Sequence, residues 1–156
     1  MDRPFPSGYP RPGESPGFLL WRVAADWQAR QRAALKPLDL THVQFVLLAS
    51  AAWLTRQGAP LSQTALARHA RTDQMMTSQV VRTLERKGLL ERGVHPDDAR
   101  ANSLRPTAAG RELAAAAIPV VEAVDAAFFG AVGADLPSFA AMLKVLADAE
   151  PGDGAG

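Results

Sequence analysis

Between Leu61 and Thr107 the chain carries a pattern that few folds can satisfy: LSQTALARHARTDQMMTSQVVRTLERKGLLERGVHPDDARANSLRPT. A short helical pattern opens at Ser62, a turn falls at Arg71-Thr72-Asp73, and a longer helical pattern runs from about Gln74 to Lys87, stopping at Gly88. Two helices joined by a tight turn are the smallest unit that can lay one helix in a DNA major groove. Leu89 to Val94 and Asn102-Ser103-Leu104 then read as short strands, separated by a turn rich in Pro and Asp at His95 to Arg100. A helix-turn-helix followed by a β-hairpin is a winged helix. The predicted class is therefore mainly α with a small β-hairpin wing (α+β).

On the second helix, Thr77, Val80, Val81 and Leu84 share one face, which must pack inward. Met75, Ser78, Gln79 and Arg82 fall opposite, at spacings of three and four. Gln79 can pair with adenine in bidentate fashion, Arg82 can reach guanine or a phosphate, and Met75 can touch a thymine methyl. In the wing, Asp98 and Arg100 stand two apart. At that spacing a carboxylate can hold a guanidinium ready for a narrow minor groove. The alternative is an ordinary surface ion pair, stabilising by only ~0–1 kcal/mol.

The run from Val80 to Arg92, the Asp98-x-Arg100-Ala101 segment and Thr107-x-x-Gly110 together resemble the signature of the MarR family of bacterial transcriptional regulators. Ser62-Gln63 and Leu66-Ala67 match that family's first motif helix, and Thr41-x-x-Gln44-Phe45-x-x-Leu48 the helix before it. The resemblance spans roughly residues 16 to 148. It implies a homodimer that binds an inverted-repeat operator in double-stranded DNA, usually as a repressor, and releases it when a small molecule binds. It assigns Arg100 the minor-groove contact and Asp98 the positioning of that arginine. The residues expected at the duplex are Ser62, Gln63, Gln74, Met75, Thr77, Ser78, Gln79, Arg82, Arg86, Asp98 and Arg100. The sequence departs from the family pattern at Met75-Met76, where small hydroxyl residues are common, at Gln79, where a basic residue is common, and at Pro106, where leucine is usual.

Charge distribution agrees with a DNA-facing motif. The 156-residue chain has a net charge of only +1. From Arg68 to Arg105, however, eight basic residues face five acidic ones, so a basic segment sits in a slightly acidic body. No cysteine is present, which excludes disulfides, thiolate metal sites and thiol-based sensing. His42, His69 and His95 lack metal-ligand spacing, and no catalytic motif or phosphate-binding glycine loop occurs. A non-enzymatic protein without cofactor or metal is expected. Charged or amide residues interrupt every apolar run, and the N-terminus lacks a signal-peptide core, so a cytoplasmic protein without a membrane span is expected.

Around the motif, residues 1–17 read as a disordered tail with five prolines and three glycines, 18–40 as an N-terminal dimerisation helix, 41–107 as the winged domain, 108–149 as C-terminal dimerisation helices and 150–156 as a second tail. Thr41 and Gln44 form a capping box with a Leu40–Phe45 staple, and that helix is expected to run to about Gln57. The terminal helices keep apolar stripes that the winged domain cannot cover, among them Leu20, Val23 and Trp27, and Phe139, Met142, Leu143 and Leu146. A second copy of the chain is the natural cover. The family resemblance also places an effector pocket where these helices meet the winged domain. Trp21, Trp27, Phe45 and Trp53, with Arg22 or His42 as polar contacts, would suit a small aromatic or phenolic molecule. A winged-helix module that binds protein rather than DNA is the competing reading.

Overall fold

The computed structural model describes residues 6–95 and 98–149, with side chains throughout except at 94–102. The expected tails at 1–5 and 150–156, and the side chains of Asp98 and Arg100, lie outside the described residues.

The helix of residues His42–Thr55 (α2 in chain order) is the hub, packing against four other helices and a strand. Its run VQFVLLASAAWL is apolar on nearly every side, which suits a helix surrounded by protein. Phe45, Leu47, Leu48 and Ala51 are buried. The capping box forms as expected: Thr41 Oγ1 accepts from the Gln44 N–H at 3.2 Å, and Gln44 Oε1 accepts from the Thr41 N–H at 3.2 Å. The helix stops at Thr55, earlier than Gln57, and Gly58 (φ 78°) donates its N–H back to the Thr55 carbonyl. Only glycine takes that left-handed backbone without a steric cost.

Before it, α1 (Pro16–Leu35) begins two residues earlier than expected, inside the presumed tail, with Ser15 as N-cap and a 3-10 turn at Pro12–Glu14 ahead of it. A 3-10 turn at Lys36–Leu38 and Asp39 in the left-handed region (φ 52°) lead from α1 into α2. After α2 come α3 (Gln63–Ala70) and α4 (Gln74–Arg86), then an antiparallel hairpin of β1 (Leu90–His95) and β2 (Asp98–Pro106). Leu90 pairs with Pro106 and Val94 with Asn102, and the register slips between Val94 and His95. The second strand is longer than the sequence pattern suggested and takes in Pro106. Proline is tolerated there at the strand end, and its carbonyl accepts from Arg111 Nη1 at 2.8 Å. Leu61 and Ser62 add a short third edge, with the Leu104 N–H donating to Leu61 O at 2.7 Å.

The long helix α5 (Ala108–Phe129) starts on Thr107, whose hydroxyl accepts from the Gly110 N–H at 3.0 Å and donates to the Gly88 carbonyl at 2.6 Å. Ala114, Ala117 and Val121 of α5 then close the core over α2, alongside Leu35, Leu66, Val81, Leu84 and Leu104. Burying each such leucine fully is worth ~1.5–3 kcal/mol. A 3-10 segment, Gly130–Asp135, kinks at Gly133 and leads to α6 (Leu136–Asp148), which opens with Pro137 in its first turn.

One expectation changes here. The run Ala108–Asp148 contains an 18-residue window apolar enough to cross a membrane by length and composition, although interrupting charges were expected to exclude one. Glu122 and Asp125 fall in this run, and Asp125 accepts hydrogen bonds from α1. The terminal helices keep uncovered apolar surface, as their stripes predict. Only Gln31 and Leu35 of α1 are buried, no residue of α6 is, and Trp21 is 73% exposed.

Candidate nucleic-acid interface

The turn that separates α3 from α4 is built from local chemistry. Ser62 caps α3 by accepting from the Ala65 N–H at 3.1 Å, and Arg71 ends it in the left-handed region (φ 54°). Asp73 caps α4, its carboxylate accepting from the Met76 N–H at 2.7 Å. Aspartate suits this position because it satisfies one of the orphan donors of the first turn and places negative charge at the positive end of the helix dipole.

Within α4, burial divides the residues as the helical period predicts. Val81 and Leu84 are buried and Val80 partly so, whereas Gln74, Met75, Met76, Gln79, Arg82 and Arg86 are exposed, Met75 at 74%. Ser78 is partly exposed between them. Arg82 folds back along the helix, its Nη2 donating to Ser78 Oγ at 3.1 Å and its Nε to Ser78 O at 3.3 Å. Arg86 Nη2 similarly donates to Thr83 Oγ1 at 3.0 Å. These are exposed contacts between neighbours on one helix, weak enough to be exchanged for a phosphate or a base edge.

Thr77 requires a correction. It was expected among the duplex contacts, but it is 0% exposed. Its hydroxyl donates to Asp73 O at 2.7 Å and lies 2.7 Å from Thr72 Oγ1. Its side chain points into the core face with Val81 and Leu84, where it ties the turn to the first turn of α4. Ser62 and Gln63 sit at the other edge of the motif and are half-buried. Ser62 is occupied as a cap, and Gln63 Oε1 accepts from Arg92 Nη2 at 3.0 Å.

That last contact belongs to a bridge the sequence reading missed. Arg92 on β1 also donates from Nε to Glu85 Oε1 at 2.7 Å, so one guanidinium joins α3, α4 and the base of the wing. The signal lay in an acid and a base seven residues apart across Gly88, a spacing that is meaningful only once the chain reverses there. Such a bridge ties the base of the wing to α3 and α4. Arg105 Nε to Glu91 Oε1, at 2.7 Å, adds an exposed cross-strand pair beside it.

The six residues expected to hold an effector do not converge on one cavity. Trp27 and His42 meet edge to face, with ring centroids 5.1 Å apart. Trp27 Nε1 donates to Asp125 Oδ1 at 2.7 Å, and Gln31 Nε2 donates to the same oxygen at 2.8 Å. Burial, with the charge of Arg32 adding to it, holds the His42 imidazole below its ordinary pKa against the opposing pull of Asp125. Phe45 belongs to the core. Trp21 and Arg22 are exposed on α1, and Trp53 is exposed beneath the Arg56 guanidinium, 3.5 Å above its ring. Among the described residues no cluster of three metal-ligating side chains occurs.

Residues 40–101 match the MarR family. An uncharacterized HTH-type transcriptional regulator of Bacillus subtilis, YdcH, is 47% identical over 125 residues, which cover 80% of this chain and 85% of that protein. The HTH-type transcriptional repressor Rv2887 of Mycobacterium tuberculosis is 39% identical over 110 residues, covering 70% of this chain and 76% of the repressor. The crystal structure of Rv2887 in complex with DNA superposes with a TM-score of 0.65 at 35% identity, over 85% of this chain and 97% of that one. BpsR of Bordetella bronchiseptica shares the fold, with a TM-score of 0.81 at 24% identity over 92% of this chain and all of its own. The winged helix with its capped, outward-facing α4, the Thr107-x-x-Gly110 lock and these likenesses lead to one assignment: the chain belongs to the MarR family of helix-turn-helix transcriptional regulators.

Proposed function

We propose that the protein works as a homodimer that presents two copies of α4 to successive major grooves of an inverted-repeat operator, acting as a repressor by covering promoter DNA. The observation that carries this reading is the division of α4: Val81 and Leu84 are buried while Gln79, Arg82 and Arg86 stay in solvent on a helix held rigidly at both ends. Gln74, Met75, Ser78, Gln79, Arg82 and Arg86 are the groove-facing set. Ser62 and Gln63 lie at the flanking backbone, and Asp98 with Arg100 at the wing. Support comes from the Mycobacterium tuberculosis repressor, which has been crystallised both with DNA and with salicylic acid.

The uncovered helices explain why two copies are needed. Leu20 and Trp21 of α1, and Met142, Val145 and Leu146 of α6, are all more than half exposed within a single chain. Such surface is stabilised by association at about 25 cal/mol per Å² before the costs of binding. Residues 18–40 and 108–149 then form the dimer body, and 41–107 the reading head.

This reading puts a small aromatic effector at the Trp27–His42 contact, where an indole and a half-buried imidazole meet edge to face. Binding there would favour a spacing of the two reading heads that no longer matches the grooves, a population shift rather than a local blockade. Footprinting on the DNA upstream of the protein's own coding region tests the reading. A protected inverted repeat with a log–log salt slope near about −5, as expected for about six neutralised phosphates, supports it. A salt-insensitive interaction, or no protection, would favour a protein-binding module. Tryptophan fluorescence during titration with salicylate, compared between the parent protein and Trp27→Phe, tests the effector site: a quench that survives the substitution unchanged would remove Trp27 from it.

A further inference from the structure

We propose that the seam between the α1–α2 connection and the end of α4 is a binding site for a small anion, a carboxylate or a phosphate, that competes with Asp39 for Lys87. A cavity of about 320 Å³ opens there, walled by Arg32, Lys36, Asp39 and Lys87, with the Thr41–Gln44 cap at one side. Three cations face a single carboxylate, so the cavity carries a surplus of two positive charges. Asp39 is spoken for: its carboxylate lies 3.0 Å from Lys87 Nζ, which also donates to the Asp39 carbonyl. Among the described residues, neither Arg32 nor Lys36 has a carboxylate within ion-pair distance.

The two sides of the existing pair are unequal. The Lys87 side chain is 26% exposed, whereas that of Asp39 is 94% exposed. A half-enclosed ammonium keeps more of its electrostatic attraction than a carboxylate fully washed by solvent. Asp39 is thus a weakly held counter-ion that a better-placed anion can displace. The cavity is separate from the Trp27–His42 contact, and only Arg32 bears on both. An occupant would loosen the one described ion pair that joins the α1–α2 connection to α4.

Binding is read on the free full-length protein, so the outcome does not depend on operator binding or on the effector reading. Calorimetric titration with sodium phosphate and, separately, sodium acetate, at ionic strength held constant with sodium chloride, should give saturable binding with at least one of the two. The arm that saturates identifies the chemistry. Lys36→Met should weaken it by about fivefold or more, the equivalent of ~1 kcal/mol for losing an exposed ion pair. Asp39→Asn should do the reverse and tighten it several-fold, because the competitor is removed while asparagine keeps the left-handed backbone. No saturation with either anion would overturn the proposal. So would unchanged affinity in Lys36→Met, or unchanged or weaker affinity in Asp39→Asn.

Discussion

Gly110 offers the sharpest test of how the wing is joined to α5. It lies in the first turn of α5, where alanine would ordinarily be preferred by ~1 kcal/mol on helix propensity. Yet a Cβ at this position would stand 2.0 Å from the Leu89 carbonyl oxygen and 2.9 Å from its carbon, far inside the ~3.5–4.0 Å of a comfortable contact. Neither partner can give way cheaply. The Leu89 N–H donates to Leu84 O at 2.9 Å, and the Leu89 carbonyl accepts from the Thr107 N–H at 3.0 Å. Overpacking against backbone belongs at the upper end of the ~1–3 kcal/mol range, and a displaced Leu89 also forfeits about one hydrogen bond, ~1 kcal/mol. Set against the propensity gain, Gly110→Ala should lose about 2–3 kcal/mol. For a domain of this size that lowers Tm by ~5–10 °C. Urea and thermal unfolding followed by circular dichroism, at fixed protein concentration because an oligomer's stability depends on it, would measure the loss. Gly130→Ala is the control: φ is −56° there and nothing lies within 4 Å of the added methyl, so it should be neutral or slightly stabilising. A Gly110→Ala protein as stable as its parent would refute the lock.

Val81→Asp places a carboxylate at a position with 0% exposure, so far-ultraviolet circular dichroism should show a motif destabilised by several kcal/mol. Arg82→Ala and Arg100→Ala should each weaken operator binding by ~1–3 kcal/mol in gel-shift titrations while leaving unfolding curves unchanged. Asp125→Ala strands the Trp27 indole N–H and leaves Gln31 Nε2 only its 3.4 Å bond to the Val121 carbonyl, which should cost ~1–3 kcal/mol of stability in urea. The pH dependence has a definite sign. Because the folded His42 imidazole has a pKa below its unfolded value of about 6.5, the unfolded chain takes up the proton first. The stabilising contribution is complete above that value and is lost as pH falls through the lower, folded pKa. Urea midpoints should therefore drop on acidification from neutrality, and less steeply in His42→Asn.

The local signals were legible because each depends on a few neighbours along the chain. Thr41 with Gln44 caps α2 and Ser62 opens α3 where their positions predicted, and Asp73 and Thr107 cap α4 and α5 by the same chemistry, since a cap needs only a side-chain oxygen two or three residues from an orphan N–H. The inward and outward faces of α4 followed from a period of 3.6 residues and nothing else. Thr77 is instructive because period and chemistry disagreed: a hydroxyl suits DNA, but its place on the wheel put it with Val81, and burial decided. The wing was recognised although its second strand was drawn too short, because pairing with Leu90 draws in residues with no strand pattern of their own, Pro106 included.

Contacts between distant segments had to wait for the fold. The Glu85–Arg92–Gln63 bridge, the Trp27 and Gln31 hydrogen bonds to Asp125, and the Lys87–Asp39 pair join residues from 7 to 98 positions apart. Thr107-x-x-Gly110 shows both sides. As a string it marked a family, but only the approach of Leu89 to within 2.0 Å of a hypothetical methyl explains why that glycine bears no side chain. Periodicity and capping are properties of a single helix and can be read from the order of residues alone. Which helix ends face each other, which cation is left without a partner and which apolar faces remain bare depend on how those helices cross, and that is settled by packing in three dimensions.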